Sequence, residues 1–304
     1  MVSSSESTKT TSSPLIALTG ASGFVGHGLA AALLAAKFRI RALVRDPEKF
    51  RAALPDADTV AFQLAGTVSA EALRGVDTLI HCAYALPDSQ LDARGCYELN
   101  IRAAKRLLEA SRAQGVRRFI FISSFAAHPG AESFYGRGKR EIEGFLDPAR
   151  DLILQPGLVI GNGGLYARMA KMFQKARVFP LFYGGEQRVQ TISLEDLGEA
   201  VVRALRLECT GLLRLAEPRP VPIMEMYLAI AESVSVKPWM PRAPGAATLA
   251  FLRMTEALRI PFPLNTENLL GLKQMVTFDT AEDLKRLGGL ELSDYRQSVA
   301  RLRG

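Results

Sequence analysis

The stretch Thr19-Gly20-Ala21-Ser22-Gly23-Phe24-Val25-Gly26 decides the fold of this chain. It follows a short apolar run, Leu15–Thr19, and opens a segment with the apolar spacing of a helix, Phe24–Lys37. A glycine-rich turn that joins a strand to a helix is typical of the βα unit that binds dinucleotides. The sequence therefore predicts a cofactor-binding loop at this point.

Each glycine of this loop has a separate task. Gly20 permits the tight turn, Gly23 lets the backbone approach a pyrophosphate, and Gly26 lets the helix pack close to the strand. The start of the helix supplies unpaired N–H groups and a partial positive charge for the phosphates. We predict that the loop holds the cofactor through Gly20, Ser22, Gly23, Phe24, Val25 and Gly26.

Short apolar runs alternate with helical segments through the first half of the chain. The predicted strands are Leu15–Thr19, Arg39–Val44, Thr59–Leu64, Asp77–Cys82, Arg118–Ser123 and Leu152–Gln155. The long helices predicted among them are Phe24–Lys37, Leu91–Gln114 and Ser133–Leu146. This alternation is typical of a parallel sheet covered by helices on both faces. We predict an α/β fold, a doubly wound parallel sheet of the Rossmann type, with a smaller, mostly helical C-terminal substrate lobe.

The rhythm of strand and helix changes after about Gly157. We predict a disordered tail over residues 1–13, a dinucleotide-binding domain over 14–160 and a substrate lobe over 161–304, with 186–206 returning to the Rossmann domain. Ser193 is the predicted N-cap of the helix in this returning segment. Helices are also predicted around Leu165–Lys175, Ile223–Val234, Ala246–Leu258 and Thr280–Leu287.

Composition places the chain among ordinary globular proteins. Of its 304 residues, 48% are hydrophobic and 23% are charged, which excludes a mostly disordered chain, a collagen-like repeat and a coiled coil. Lys and Arg number 38 and Asp and Glu 31, a net charge of +7. The basic residues are scattered, so we predict a small-molecule substrate and neither nucleic acid nor a membrane as partner. The oligomeric state stays open.

The number and spacing of the cysteine and histidine residues favour a reducing compartment and the absence of a metal site. The three cysteines form no Cys-x-x-Cys pair, and the three histidines belong to no His/Cys/carboxylate cluster. A cytoplasmic location follows from the absence of a disulfide framework. His81 lies inside an apolar run and is predicted to be a core residue, not a ligand.

Arg45, at the end of the second predicted strand, bears on the choice of cofactor. It lies nineteen residues past Gly26, where an NAD enzyme carries an acidic side chain for the ribose 2′-hydroxyl. An arginine matches a 2′-phosphate, with paired donors and a permanent charge. We therefore predict NADP, and the adjacent Asp46 keeps NAD open as an alternative.

Tyr135 and Lys139 form the clearest candidate for proton transfer. They are four residues apart on a predicted helix, so both side chains lie on one face. An ammonium beside a phenol stabilises the phenolate and lowers its pKa toward the working range.

Several further motifs follow the glycine loop in a set order. They are Gly75-Val76-Asp77 before Leu79-Ile80-His81-Cys82-Ala83, Asn100, Ser123-Ser124, Tyr135-x-x-x-Lys139, Gln155-Pro156-Gly157-Leu158-Val159-Ile160-Gly161 and Ile192-Ser193-Leu194-Glu195-Asp196. With these motifs, residues 15–204 resemble the short-chain dehydrogenase/reductase superfamily, in its extended or atypical branch with the NAD-dependent epimerase/dehydratase relatives.

The resemblance implies a role for each of these positions. Tyr135 exchanges a proton with the substrate oxygen, and Lys139 tunes Tyr135 and holds the nicotinamide ribose. Ser124, or alternatively Ser123, hydrogen-bonds the reacting oxygen, and Asn100 orders a water or the active-site backbone. Cofactor contacts are further expected at Leu64, Ala83 and Pro156.

The sequence departs from this superfamily at three places. Only ten residues separate Ser124 from Tyr135, so the serine must reach the site across a short loop. Gln155 stands where many relatives have Arg before Pro-Gly, which implies an altered cofactor or substrate contact. Gln63 stands where the third strand commonly ends in Asp, so a neutral amide is expected near the adenine.

The predicted function is hydride transfer between a nicotinamide cofactor and a carbonyl or alcohol substrate, with Tyr135 as acid and base. One alternative is a sugar-nucleotide epimerase or dehydratase that retains bound NAD. A second alternative is a non-catalytic NADP-binding sensor or assembly subunit. Fold alone does not choose among the three.

Overall fold

The computed structural model describes residues 14–88, 90–175, 178–179, 181–243, 249–250, 252–254, 258 and 266–302. The tail predicted over residues 1–13 therefore lies outside the described residues. So does about half of the helix predicted around Ala246–Leu258.

Seven parallel strands form the central sheet, which confirms the predicted fold class. They are β1 (Leu15–Thr19), β2 (Arg39–Val44), β3 (Asp58–Ala61), β4 (Thr78–His81), β5 (Arg118–Ile122), β6 (Leu152–Pro156) and β11 (Gly211–Leu215). Their order across the sheet is β11-β6-β5-β4-β1-β2-β3. The strand order therefore reverses at the β1–β4 pair, and parallel α/β sheets bind ligands at the carboxyl ends of such a switch point.

Helices and short strands complete the described part of the chain. The helices are α1 (Phe24–Ala35), α2 (Pro47–Ala53), α3 (Ala70–Leu73), α4 (Ala93–Ala113), α5 (Phe134–Glu143), α6 (Gly164–Lys175), α7 (Leu194–Arg206), α8 (Ile223–Ser233), α9 (Thr266–Lys273), α10 (Ala281–Arg286) and α11 (Tyr295–Ala300). The short strands are β7 (Leu158–Ile160), β8 (Leu181–Phe182), β9 (Arg188–Val189), β10 (Thr191–Ser193), β12 (Val221–Pro222) and β13 (Arg242–Ala243).

The pleat of the strands builds one apolar layer on each face of the sheet. Ile16 and Leu18 of β1 belong to the layer that contains α1 and α7, while Ala17 between them belongs to the layer that contains α4 and α5. On β5, Ile120 and Phe119 divide in the same way. Because neighbouring side chains point to opposite faces, continuous apolar strands are needed to cover both.

A third apolar cluster holds the later part of the chain together. Phe173 of α6, Phe179, Tyr227 of α8 and Val299 of α11 are buried in it. The segment 186–206 contributes α7, which packs on α1, and Ser193 caps α7 by accepting the Asp196 N–H at 2.9 Å. The domain boundaries themselves stay predictions.

Gly26 fixes how closely α1 approaches β1. A Cβ atom on Gly26 would lie 2.1 Å from the carbonyl oxygen of Gly20, a distance that no packed structure accepts. Helix and strand meet at this point with only backbone between them.

The end of β1 is tied to the end of β4 by Thr19. Its hydroxyl oxygen accepts the N–H groups of Cys82 and Ala83, both at 3.2 Å, and lies 2.8 Å from Nδ1 of His81. With both lone pairs engaged, the hydroxyl donates its hydrogen to Nδ1 of a neutral His81. His81 is buried, as predicted for a core residue.

Within the described residues, no helix is both long and apolar enough to span a bilayer.

Replacing Gly26 by Ala is expected to lower the free energy of unfolding by about 2 kcal/mol, because helix and strand must separate to admit the methyl group. Chemical denaturation measures the change. Gly271→Ala in α9 is the matched control, since its Cβ would meet no atom within 4 Å. The control is expected to match wild type or gain up to about 1 kcal/mol of stability. Equal stability of the Gly26 variant and wild type would contradict the close packing.

His81 gives stability a pH dependence. Burial, with a smaller contribution from the Lys139 charge, lowers the pKa of His81 from 6.5 to about 3. The folded state then binds fewer protons than the unfolded state, so stability falls as pH drops below 6.5. From pH 7.5 to pH 5, wild type is expected to lose about 2 kcal/mol more than His81→Asn. Equal losses in denaturant titrations of the two proteins would contradict this account.

Candidate active site

The glycine loop lies against the segment that follows β4. Gly20 has a φ of +71°, and a Cβ there would sit 2.6 Å from the backbone nitrogen of Ala83. The Gly23 N–H donates to the Gly20 carbonyl at 2.9 Å and closes the turn. Gly23 is also the N-cap of α1, with no side-chain cap, so the first N–H groups of the helix have no side-chain acceptor. This geometry fits the pyrophosphate of a dinucleotide.

The other predicted loop residues differ in exposure. Ser22 is exposed, and Val25 and Phe24 are half-buried. The Phe24 ring packs on a second glycine-rich turn, because a Cβ on Gly163 would lie 2.3 Å from it. Phe24 therefore joins the glycine loop to the turn before α6.

Arg45 and Asp46 have different surroundings at the end of β2. The Asp46 carboxylate accepts the Lys49 N–H at 3.0 Å and caps α2. Arg45 is exposed directly beyond the strand. The Asp46 carboxylate is therefore occupied in capping α2. The Arg45 guanidinium faces solvent at the edge of the predicted adenine-ribose site. Leu64 is half-buried, and its carbonyl accepts from Arg106 at 2.9 Å.

Helix α5 presents Tyr135 to the carboxyl edge of the sheet. Ser133 starts the helix by accepting the Gly136 N–H at 3.1 Å. The Ser124 side chain lies beside the Tyr135 phenol. Burial raises the pKa of Tyr135, and hydrogen bonding from the neighbouring Ser124 hydroxyl opposes that rise. The ten-residue loop is therefore long enough to bring the serine and the tyrosine together.

Lys139 lies one turn further along α5, buried beneath Tyr135. Its Nζ donates to the Ile122 carbonyl at 2.7 Å and sits 4.3 Å from the ring centre of Tyr84 and 4.7 Å from that of Phe121. Burial lowers the pKa of Lys139 to about 8, against the raising effect of Cys82 and Glu143. The ammonium is thus held by one carbonyl and by aromatic faces.

Asn100 orders the loop after β4. Its Oδ1 accepts the Ala85 N–H at 2.8 Å, and its Nδ2 donates to the Ala85 carbonyl at 2.9 Å. Asn100 is buried, and both polar groups of its side chain bond the backbone of Ala85. In this structure the side chain therefore holds the loop after β4. Ala83 and Tyr84 belong to the same loop. Pro156 is buried at the end of β6, and its carbonyl accepts the Phe125 N–H at 3.0 Å.

Sequence reasoning missed two groups around the site, Tyr84 and Glu143. Tyr84 packs edge-to-face on Tyr135, with ring centres 5.2 Å apart, and its hydroxyl reaches the Tyr135 carbonyl at 3.4 Å. Glu143 accepts hydrogen bonds from the Ser123 hydroxyl and from Gln155 Nε2, the latter at 2.8 Å. The four-residue step from Lys139 to Glu143 was a signal that could have identified this carboxylate.

Gln155 is buried among protein groups. Besides Glu143, its Nε2 reaches the Ala127 carbonyl at 3.2 Å. Ser123 is buried and bonded to Glu143, so of the two serines it is Ser124 that meets Tyr135. Among the residues described, no three His, Cys, Asp or Glu side chains are grouped to hold a metal ion.

Two reductases share much of this sequence. The chain is 30% identical over 253 residues to a ceramide reductase of Caulobacter vibrioides, covering 80% of this chain and 78% of that protein. It is 27% identical over 263 residues to a 3-diazoavenalumate denitrifying reductase of a Streptomyces species, covering 76% and 84% of the two chains.

The fold has close counterparts among solved structures. The crystal structure of gox2253 superposes with a TM-score of 0.76 at 21% identity, covering 95% of this chain and 96% of that one. A sequence profile of the NAD dependent epimerase/dehydratase family matches residues 16–211. The chain is thus an oxidoreductase-type, nicotinamide-dependent enzyme, and it belongs to the NAD dependent epimerase/dehydratase family.

Proposed function

We propose that this protein is an NADP(H)-dependent reductase that interconverts a ketone and an alcohol on a small, largely apolar substrate. The observation that carries the proposal is the meeting of Ser124, Tyr135 and Lys139 at the sheet edge that also carries the glycine loop. An acid, its hydrogen-bond partner and a buried cation are the groups that carbonyl reduction requires.

The cofactor fits the residues present. The backbone of Gly20–Gly26 would hold the pyrophosphate, Arg45 the 2′-phosphate and Lys139 the nicotinamide ribose. When bound, the nicotinamide supplies or accepts the hydride at its C4. The protein supplies orientation and electrostatics around that atom.

Tyr135 moves the proton at the substrate oxygen. Burial raises the pKa of its phenol, so the group is protonated near neutral pH and can donate. Lys139 stabilises the phenolate left behind, because a cation in a low-dielectric site favours a nearby anion strongly. Ser124 hydrogen-bonds the same substrate oxygen and positions it. The three residues therefore lower the barrier by placing charge where it develops.

Aromatic groups favour an apolar substrate. Phe125 follows Ser124 directly and packs edge-to-face on Phe278, with ring centres 4.9 Å apart. Tyr84 packs edge-to-face on Tyr135. The similarity to a ceramide reductase supports the same substrate class. A lipid-like ketone therefore fits this site better than a sugar nucleotide does.

Tyr135→Phe is expected to lower turnover at least about 100-fold and to leave NADPH affinity nearly unchanged, because only the acid is removed. Steady-state reduction of an apolar ketone, followed by nicotinamide absorbance, measures the first effect, and fluorescence titration measures the second. Tyr97→Phe is the matched control, since that hydroxyl bonds Glu141 on the outer side of α5. Unchanged turnover in Tyr135→Phe would remove this residue from the mechanism.

Substrate conversion without net change in nicotinamide absorbance would favour the epimerase or dehydratase that retains NAD. Tight NADPH binding with no turnover of any carbonyl compound would favour the non-catalytic sensor.

Arg45→Ala is expected to weaken NADPH binding by about tenfold to 100-fold and to leave NADH binding unchanged, since one charge-assisted contact to the 2′-phosphate is lost. Fluorescence titration of nucleotide-free protein measures both affinities. Arg39→Ala, at the opposite end of the same strand, is the control for a change in net charge. Wild type that prefers NADH would contradict the assignment of Arg45.

A further inference from the structure

Two side chains near the carboxyl end of helix α5 hydrogen-bond to consecutive residues at the end of β5. Lys139 donates to the Ile122 carbonyl at 2.7 Å, and Glu143 accepts from the Ser123 hydroxyl. The next residue in the chain is Ser124, which meets the Tyr135 phenol. One helix therefore carries both the proposed acid and the two side chains that set the strand end facing it.

Glu143 has unusual surroundings for a carboxylate. It is half-buried, and it accepts hydrogen bonds from two neutral donors, the Ser123 hydroxyl and the Gln155 amide. Neither donor carries a charge, so the negative charge of the Glu143 carboxylate is not neutralised by its hydrogen-bond partners. Burial raises the pKa of Glu143, against the lowering effect of these two hydrogen bonds and of the Lys139 and Arg140 charges. Arg140 is exposed to solvent.

Lys139 is buried one helical turn before Glu143, on the same face of α5, and each charge acts on the other. The groups that face it come from three elements: His81 at the end of β4, Cys82 and Tyr84 in the following loop, and Tyr135 and Glu143 on α5. His81 is neutral above pH 3, and burial raises the pKa of the Cys82 thiol to about 11. Tyr84 and Tyr135 are phenols whose pKa values are raised by burial. Among these groups, Glu143 alone is an anion near neutral pH.

We propose that Glu143 is a positioning residue that keeps Lys139 protonated in the working pH range and fixes the end of β5 beside Tyr135. The proposal rests on the proposed function, because it assigns a partner to the cation that assists Tyr135. Gln155 contributes to this arrangement, since its neutral amide orients the Glu143 carboxylate without neutralising the charge of that carboxylate.

Glu143→Gln removes the charge and keeps the size of the side chain. Without the carboxylate, Lys139 loses its proton at lower pH, so the high-pH limb of kcat/KM for ketone reduction is expected to move down by about one pH unit. Glu141→Gln is the matched control, because Glu141 is exposed two residues away and bonds Tyr97. The control is expected to retain the wild-type pH profile.

A direct titration separates this inference from the proposed function. In nucleotide-free protein with ¹⁵N-labelled lysine, the Nζ resonance of Lys139 is expected to titrate near pH 8 and to move to lower pH in Glu143→Gln. If this shift occurs while no carbonyl compound is reduced, the proposed function fails and the Glu143–Lys139 coupling stands. If wild type reduces a ketone and the variant changes neither the Lys139 titration nor the pH profile, the inference is overturned.

Gln155→Arg tests the same coupling should Glu143→Gln fail to fold. A guanidinium beside Glu143 compensates its charge, so the Lys139 titration is again expected to move to lower pH. The superfamily commonly has Arg at this position, which indicates that the backbone accepts it. An unchanged or raised titration in a folded Gln155→Arg protein would overturn the proposal.

Discussion

The whole site depends on the close approach of two backbone segments, the turn at Gly20 and the residues that follow β4. A Cβ on Gly20 would fall 2.6 Å from the Ala83 nitrogen, so only glycine permits this contact. The Thr19 hydroxyl holds the same two segments by accepting the N–H groups of Cys82 and Ala83. The approach directs the start of α1 and the loop after β4 toward one edge of the sheet, where the strand order reverses.

Charge in an apolar setting is the second constraint. Lys139 is buried beside the rings of Tyr84, Phe121 and Tyr135. Burial itself disfavours the ammonium form and makes each neighbouring charge influential. In such a setting a carboxylate one helical turn away is less screened than one that is fully exposed to solvent. The same burial raises the pKa of Tyr135 and lowers the pKa of Lys139.

Local sequence patterns predicted many of the strands and helices around the site. Contacts between distant parts of the chain could not be predicted from such patterns. The bounds of β1 and β2 matched because each apolar run ends at a turn signal, and the spacing of Tyr135 and Lys139 put both on one helix face. Strand β11 was missed because it comes after the regular alternation of strand and helix has ended; among the described residues it pairs with β6 at the edge of the sheet. The pairing of Gln155 with Glu143 joins a strand end to a helix end, and no sequence spacing records such a contact.

The transfer of deuterium from C4-deuterated NADPH to an apolar ketone tests the central claim most directly. Mass spectrometry of the alcohol and absorbance of the nicotinamide are followed in one reaction. The account predicts one deuterium on the carbinol carbon for each NADPH oxidised, and loss of that product in Tyr135→Phe. Substrate conversion that leaves the label on the nicotinamide, with no net oxidation of NADPH, would contradict it.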